Sequence, residues 1–313
     1  MTLLGKLLKD WNIMSKCIVT GGAGFIGSHL VDKLVEQDHD IIIIDDFSTG
    51  DIDNINLSKV KEDKIFCRDI SLCTGAELET LCDGAEYVFH MAALPSVQYS
   101  IENPLLTINN NLISTLKMLE VSRWLGVKKF IYSGSCSCYG DAEEIPTTEA
   151  ESIKPLSPYA LQKYQGEEYC RLYHQLYQLD TVVLRYFNVY GPKMANTGAY
   201  SSVLSLFLDA YNKKEPFNIV NDGEQRRDFI HVSDVVEANI KAMEAENISE
   251  YPINIGSGKN HSVNEIADMF GGEKNYGEKR IEPHETLADI TAAKVLLKWK
   301  PNIALENWIK EQL

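Results

Sequence analysis

Short apolar runs alternate with stretches of helical periodicity through the first 190 residues. The runs are apolar at successive positions, which is typical of parallel strands buried on both faces. The pattern therefore predicts an α/β fold, a doubly wound parallel sheet with right-handed crossovers. The predicted strands are Cys17–Thr20, Asp40–Asp45, Lys64–Arg68, Tyr87–Met91, Lys129–Ser133 and Thr181–Tyr186. The predicted helices include Ser28–Gln37, Asn109–Leu125 and Pro158–Gln178.

The regular alternation ends after Gly191-Pro192, where glycine, proline and charged residues are scattered. We predict one domain over residues 1–190, to which residues 228–257 return as a strand and a helix. Residues 191–227 and 258–313 are predicted to form a smaller C-terminal lobe that packs beside the sheet and binds substrate.

Composition and charge narrow the class of protein. The chain is 44% hydrophobic and 24% charged, as in an ordinary globular protein, and its net charge of −15 argues against nucleic acid or an anionic membrane as partner. No apolar run reaches the roughly 20 residues of a membrane span. The first 14 residues could form an amphipathic helix but lack the features of a secretory signal. Seven cysteines without a CxxC pair predict a reduced, cytoplasmic protein with no bound metal.

A glycine-rich turn, TGGAGFIG, joins the first predicted strand to the first helix. In it Gly21 permits a tight turn, Gly24 lets a pyrophosphate approach the backbone, and Gly27 allows close packing of helix on strand. The phosphates would lie at the positive end of the helix. Asp45 ends the second strand, where a carboxylate accepts both ribose hydroxyls and repels a 2′-phosphate. The sequence thus predicts a Rossmann-like site that prefers NAD to NADP.

Asp69 and Ile70 follow the third predicted strand, at the same edge of the sheet. They are candidates for contact with the adenine ring. The alternative is that Asp69 belongs to a solvated turn.

Tyr159 and Lys163 are predicted to share one face of a helix that begins at Ser157-Pro158. A tyrosine has an ordinary pKa of about 10 and is a poor base at neutral pH. A nearby ammonium, together with a cationic nicotinamide, should lower that pKa. Tyr159 would then remove a hydroxyl proton while hydride leaves for the cofactor.

A serine cluster, Ser133-Gly134-Ser135-Cys136-Ser137, leaves the end of the fifth predicted strand. Ligands of open α/β sheets bind outside these strand ends. Ser135 is therefore predicted to hydrogen-bond both Tyr159 and the reacting hydroxyl. The alternative, that the serines only satisfy turn backbone, stays open for Ser133 and Ser137.

The glycine turn, the serine cluster and Tyr-x-x-x-Lys occur in the order found in the extended short-chain dehydrogenase/reductase family, which the chain resembles over nearly its whole length. Four phrases are most similar to bacterial UDP-N-acetylglucosamine 4-epimerases. These are AALPSVQYSIENP (92–104), LRYFNVYG (184–191), GAYSSV (198–203) and DGEQRRDFIHV (222–232).

The branch of the family is indicated by a missing acid. In nucleotide-sugar dehydratases and decarboxylases of this family, an acidic residue usually lies two positions before the Tyr-Gly pair that ends the serine motif. Here Ser137 stands two positions before Tyr139-Gly140, with Cys136 before it. The resemblance therefore implies epimerisation without elimination. Hydride would pass from C4 of the sugar to NAD and return to the opposite face.

The resemblance also implies contacts with each ligand and a homodimer built from the helices near 108–125 and 157–178. Further cofactor contacts are expected from Phe25, Ile26, Ala92, Ala93, Asn110 and Phe187. Substrate contacts are expected from Ser96, Ser135, Ser137, Tyr159, Asn188, Asn218, Arg227, Arg280 and Thr286. Among these, Asn188 and Arg227, with Arg280, would hold the diphosphate, Asn218 would face uracil, and the small Thr286 would leave room for an N-acetyl group.

Three other functions remain open from the sequence. One is epimerisation of a UDP-uronic acid, although no basic residue in Ser96–Ser100 stands ready for a carboxylate. Another is net oxidation or reduction of a nucleotide sugar. The third is a non-catalytic NAD-sensing protein, which would have no use for Ser135, Tyr159 and Lys163.

Overall fold

The computed structural model describes residues 14–195, 201–249, 251–278 and 283–313. Most of the strands in these ranges contain β-branched residues, whose side chains pack well on a pleated surface. In chain order they are β1 (Lys16–Thr20), β2 (Asp40–Asp45), β3 (Ile65–Cys67), β4 (Tyr87–His90), β5 (Lys129–Ser135), β6 (Thr181–Tyr186), β7 (Asn188–Tyr190), β8 (Phe217–Val220), β9 (Arg226–His231), β10 (Ile253–Ile255), β11 (Asn260–Ser262) and β12 (Lys274–Gly277).

Within the described part of the chain, the central sheet has seven strands in the order β10-β6-β5-β4-β1-β2-β3. All of its neighbouring pairs are parallel. The chain passes from β1 through β2 to β3 and then returns to β4 on the other side of β1. At such a reversal of strand order, the loops that leave the two strands diverge and open a crevice.

Helices cover both faces of this sheet, which confirms the predicted doubly wound α/β fold. Leu30 of the first helix and Val235 of the eighth pack on one face. Leu78, Met118 and Cys170, each from a different helix, pack on the other. The helices are α1 (Phe25–Glu36), α2 (Gly75–Cys82), α3 (Val97–Glu102), α4 (Pro104–Ile108), α5 (Ser114–Leu125), α6 (Pro158–Tyr177), α7 (Val203–Lys213), α8 (Val232–Glu244), α9 (Val263–Phe270), α10 (Thr291–Leu296) and α11 (Leu305–Gln312).

The later part of the chain adds two small sheets, β11-β9-β7 and β12-β8. Beside them lies a separate aromatic core, in which the rings of Phe207 and Phe217 stack with centroids 4.8 Å apart. The predicted division into residues 1–190 with 228–257, and 191–227 with 258–313, stays a prediction.

Several element boundaries differ from those predicted, and the differences at the glycine turn, at the end of β5 and at Asn109 are described here. Helix α1 begins at Phe25, directly after the glycine turn, and β5 continues to Ser135 because that residue pairs with Tyr186 of β6. The helix predicted from Asn109 instead opens with a π-helical turn over Asn109–Ile113 and becomes α-helical at Ser114. A π turn inside a helix often accompanies a functional site.

All seven cysteines lie within the described ranges and are free thiols. No helix in these ranges is long and apolar enough to cross a membrane.

Candidate active site

A cavity of about 460 Å³ lies at the carboxyl ends of β1, β2, β4, β5 and β6. One end, here called the glycine end, is lined by Gly21, Gly24 and Asp45. The opposite end, the serine end, is lined by Ser135 and Tyr159 among others. The fold thus brings the predicted dinucleotide motif and the predicted catalytic group into one continuous space.

The three glycines of the turn are needed for different reasons. Gly21 has φ +68°, and a Cβ there would lie 2.8 Å from the backbone nitrogen of Ala92. A Cβ on Gly27 would lie 2.1 Å from the carbonyl oxygen of Gly21. At Gly24 the nearest atom would be 3.2 Å away, so the protein itself nearly accommodates a side chain there. A side chain at position 24 would point into the space where we expect the ligand, and glycine keeps that space open.

Helix α1 starts at this turn with its first amide groups at the cavity wall. Its N-cap residue is Gly24, and no side chain caps the helix. Phe25 and Ile26 of the first turn line the cavity. Uncapped N–H groups and the positive end of the helix form a favourable site for an anion such as a pyrophosphate.

Asp45 lies at the end of β2, only 6% exposed. Its Oδ2 accepts a hydrogen bond from the Ala23 amide at 2.9 Å, and its Oδ1 accepts one from the Phe47 amide at 2.8 Å. Burial raises the pKa of this carboxyl, while the backbone bonds oppose the rise. Each carboxylate oxygen accepts more than one hydrogen bond, so both oxygens can still receive ribose hydroxyls.

The residues after β3 complete the glycine end. Asp69 and Ile70 line the cavity, as predicted. The Asp69 side chain also closes a turn, because its Oδ1 accepts a hydrogen bond from the Ser71 amide at 2.9 Å. Arg68 lines this end too and was not predicted. Its position directly before Asp69 was the only signal in the sequence.

Helix α6 presents Tyr159 and Lys163 as the sequence predicted. Ser157 caps the helix by accepting a hydrogen bond from the Ala160 amide at 3.2 Å, and Pro158 occupies its first turn. Burial raises the pKa of Tyr159 to about 12, and a hydrogen bond with Ser135 opposes that rise. Ser135 and Tyr159 both line the cavity.

The predicted lowering of the Tyr159 pKa by Lys163 together with a cationic nicotinamide stays a prediction. Lys163 Nζ donates to the carbonyl oxygen of Ser133 at 2.8 Å and lies 5.1 Å from the centroid of the Tyr132 ring. Burial lowers the pKa of this lysine to about 8. For Tyr159 burial is the largest effect and outweighs the opposing interaction with Ser135, so the net change in its pKa is a rise.

The serine cluster forms a short 3₁₀ turn after β5, over Cys136–Tyr139. Ser137 donates from its hydroxyl to Ser135 Oγ at 2.9 Å. Ser133 contributes its carbonyl to Lys163. Each of the three serines thus satisfies local polar groups and also lines the cavity.

The predicted substrate residues divide into two groups. Asn188 and Ser137 line the cavity. Thr286 does not, but its Oγ1 accepts hydrogen bonds from the Asp228 amide at 3.3 Å and from Asn188 Nδ2 at 3.4 Å. Thr286 is therefore in contact with a residue of the cavity wall.

Other predicted substrate residues lie away from the cavity wall. Ser96 is buried, and its hydroxyl caps α3 by accepting from the Tyr99 amide at 3.2 Å. Arg227 donates to the carbonyl oxygen of Arg226 at 2.8 Å, and Asn218 is exposed on β8. Arg280 lies outside the described residues.

The predicted cofactor residues Ala92, Ala93, Asn110 and Phe187 all line the cavity. Asn111, which was not predicted, holds the neighbouring loop. Its Oδ1 accepts from the Leu94 amide at 2.7 Å, and its Nδ2 donates to Gln162 Oε1 at 2.8 Å. The run of three asparagines is visible in the sequence at this turn. Only the fold shows which one faces the cavity and which faces α6.

Comparison with known proteins identifies the family to which the chain belongs. Residues 17–256 match the NAD dependent epimerase/dehydratase family, so the chain belongs to that family. A putative UDP-glucose 4-epimerase of Methanocaldococcus jannaschii is 40% identical over 301 residues, which cover 94% of this chain and 95% of the relative.

Two solved structures share the whole fold. UDP-glucose 4-epimerase of Thermotoga maritima, solved with UDP-glucose, is 36% identical with a TM-score of 0.88, and the match covers 94% of this chain and 96% of that one. UDP-N-acetylglucosamine 4-epimerase of Methanobrevibacter ruminantium, solved with UDP-N-acetylmuramic acid, is 35% identical with a TM-score of 0.89, over 95% and 96% of the two chains. The predicted family, the enzyme class and the NAD cofactor are confirmed.

The site residues fit NAD on structural grounds as well. The space above Gly24, the uncapped end of α1 and the two acceptor oxygens of Asp45 match a pyrophosphate and an adenosine ribose. The cavity then continues to Tyr159, where a nicotinamide would meet a substrate.

Proposed function

We propose that the protein is a UDP-sugar 4-epimerase that interconverts UDP-N-acetylglucosamine and UDP-N-acetylgalactosamine. The observation that carries this proposal is that Ser135, Tyr159 and Lys163 line one end of the cavity whose other end is the glycine turn. Bound NAD supplies the centre that accepts and returns a hydride, and its positive charge favours the phenolate of Tyr159.

The protein's own groups handle the proton. Tyr159 takes the C4 hydroxyl proton and later gives it back, while Ser135 bonds the sugar oxygen and the phenol oxygen together. Lys163 keeps one N–H on the Ser133 carbonyl and has further donors for the cofactor ribose. Because no carboxylate follows Ser135 in the serine turn, this turn supplies no acid for elimination.

The charge at the serine end favours a neutral hexose over a uronic acid. Apart from Lys163, the described residues that line this end are uncharged. A buried carboxylate without a cation would be costly, so UDP-uronic acid epimerisation is the second candidate. Thr286, bonded to Asn188, supports the acetylated sugar because a small side chain there leaves space beside the wall.

We also propose a homodimer through α5 and α6 of each subunit. Helix α6 exposes Leu161, Leu172 and Leu176, which share one helical face, at 44%, 37% and 66%. Trp124 at the end of α5 is 60% exposed. Two such faces would pair as a four-helix bundle and remove this apolar surface from water.

The substrate is tested by incubating the protein with UDP-N-acetylglucosamine, UDP-N-acetylgalactosamine, UDP-glucose and UDP-glucuronate and separating the products by chromatography. We expect interconversion of the two acetylated sugars over many turnovers, with no net change in NADH absorbance. Stoichiometric formation or consumption of NADH would instead identify an oxidoreductase.

The acetyl preference is tested separately with Thr286→Tyr. We expect this variant to lose activity on the acetylated sugars selectively. Equal loss on UDP-glucose would remove the argument from side-chain size.

A further inference from the structure

A buried ion pair connects the catalytic helix to the sheet behind it. Arg185 of β6 donates from Nε to Glu167 Oε2 at 2.9 Å, and the two side chains are only 3% and 7% exposed. Glu167 lies one helical turn beyond Lys163, and Arg185 lies opposite Gly134 of the serine cluster. The cost of removing two charges from water offsets much of their attraction. The role of this ion pair therefore depends on the other residues to which its side chains are hydrogen-bonded.

The same arginine holds the end of the serine turn through Tyr139. Arg185 Nη1 donates to the Tyr139 hydroxyl at 2.7 Å, and that hydroxyl donates to Asn254 Oδ1 at 2.6 Å. The guanidinium carbon lies 4.8 Å from the centroid of the Tyr139 ring. Tyr139 is 2% exposed. The hydroxyl therefore has one donor and one acceptor on opposite sides, both of them buried.

Asn254 extends the connection towards the segment that carries Thr286. Its Nδ2 donates to the Thr147 carbonyl at 3.0 Å. Thr147 in turn donates its amide to the Leu287 carbonyl at 2.7 Å and accepts from the Asp289 amide at 2.9 Å. One chain of hydrogen bonds thus joins α6, the serine turn and the proposed size-selecting segment.

We propose that Tyr139 is a positioning residue whose hydroxyl holds the serine turn against the catalytic helix, so that Ser135 stays within hydrogen-bond reach of Tyr159. This inference rests on the proposed function. The turn is otherwise tied by β5 pairing at Ser135 and by the Lys154 amide, which donates to the Cys138 carbonyl at 3.0 Å. At the last residue of the turn, the Tyr139 hydroxyl adds side-chain hydrogen bonds to Arg185 and Asn254.

Several titratable groups face Tyr159 and affect its titration, so a test variant must leave them unchanged. They are Cys136 and Cys138 of the serine turn, Lys163 of α6 and Tyr132 of β5. Tyr139→Phe changes none of them and keeps the ring between Arg185 and Phe187, whose centroid is 6.5 Å from that of Tyr139. The variant removes a single oxygen.

The experiment titrates Tyr159 in the NAD-loaded protein by tyrosinate absorbance, with Tyr159→Phe as the reference that isolates this one phenol. In Tyr139→Phe we expect the titration midpoint to rise, because a weakened bond from Ser135 no longer favours the phenolate. We expect kcat to fall about tenfold, since a small misplacement of a catalytic group lowers the rate without weakening binding. KM and NAD content should stay as in the unaltered protein.

Tyr173→Phe is the matched control. This variant also removes the hydroxyl of a buried tyrosine. In the unaltered protein that hydroxyl donates to Glu120 Oε1 on α5, at a position far along α6 from Tyr159. We expect a comparable loss of thermal stability, with the Tyr159 titration and kcat unchanged. Asn254→Ser removes the acceptor on the other side of Tyr139, and should raise the midpoint as Tyr139→Phe does.

If Tyr139→Phe and Asn254→Ser both titrate and turn over like Tyr173→Phe, the hydroxyl is merely structural and the inference is overturned. The titration requires no substrate. A wild-type protein that does not epimerise any UDP-sugar would therefore refute the proposed function while the titration still decides the role of Tyr139.

Discussion

Burial and charge act in opposite directions on the two residues at the centre of the chemistry. Burial raises the pKa of Tyr159 to about 12 and lowers that of Lys163 to about 8. Both groups are thereby pushed towards their neutral forms. A positively charged nicotinamide ring bound beside Tyr159 would favour its phenolate.

The role of Tyr159 predicts the effect of removing its hydroxyl. Tyr159→Phe should lower turnover by about 10²- to 10⁴-fold, the usual contribution of a general acid–base group. NAD content should not change, because the ring and Lys163 remain. The measurement is epimerisation rate together with NAD released on denaturation. Retained turnover would contradict the assignment of Tyr159 as the general acid–base group.

His90 predicts how stability depends on pH. It is fully buried between Thr20 and Thr115, with ring-to-hydroxyl distances of 2.8 Å and 2.9 Å. Burial lowers its pKa from 6.5 to about 3. The folded state therefore binds fewer protons than the unfolded state between these values, so this contribution is present above pH 6.5 and is lost as the pH falls towards 3.

His90→Gln removes that titration. Urea unfolding at about pH 7 and about pH 5 should show the wild type losing up to about 2 kcal/mol more than the variant on acidification, at roughly 1.4 kcal/mol per pH unit per proton. Parallel losses in the two proteins would show that His90 is not the responsible group.

At the level of elements, the glycine turn shows how one strand–turn–helix unit serves both packing and binding. Gly27 is demanded by the protein, since a Cβ would collide with the carbonyl of Gly21. At Gly24 the nearest protein atom would lie 3.2 Å from a Cβ, and we expect the main restriction to come from a bound pyrophosphate. The two positions therefore separate folding from binding within one short motif.

Substitution by alanine tests this separation. Gly24→Ala should fold with little loss of thermal stability but retain markedly less NAD, since the methyl group enters the space over the helix end. Gly27→Ala should lower the melting temperature clearly, because its Cβ would lie 2.1 Å from a backbone oxygen. Melting temperature and NAD content are measured for both. Equal NAD retention in Gly24→Ala and wild type would contradict a pyrophosphate at this point.

At the scale of the whole molecule, a net charge of −15 coexists with an apolar face on α5 and α6. Leu176→Glu places a charge at the most exposed leucine of that face and should convert a dimer to a monomer in light scattering. Leu72→Glu is the control, because Leu72 is 79% exposed outside these helices. A monomeric wild type, or a dimer unaffected by Leu176→Glu, would exclude this interface.

Much of the fold could be predicted because its signals are local. Buried parallel strands read as unbroken apolar runs, and α6 was marked by its serine cap and its proline. The π turn at Asn109–Ile113 was missed, since its backbone depends on how Asn111 bonds Leu94 and Gln162. Arg68 was missed because an arginine at a strand end usually faces solvent.

The sequence by itself determined the α/β alternation, the glycine turn with Asp45, and the Tyr159–Lys163 pair, because each rests on spacing within one element or between adjacent ones. Tertiary structure alone decided which polar groups meet. Pairing of Ser135 with Tyr186 across β5 and β6 sets the serine turn beside Tyr159. The bond from Tyr139 to Asn254 then joins residues more than a hundred positions apart, and no local pattern encodes such a contact.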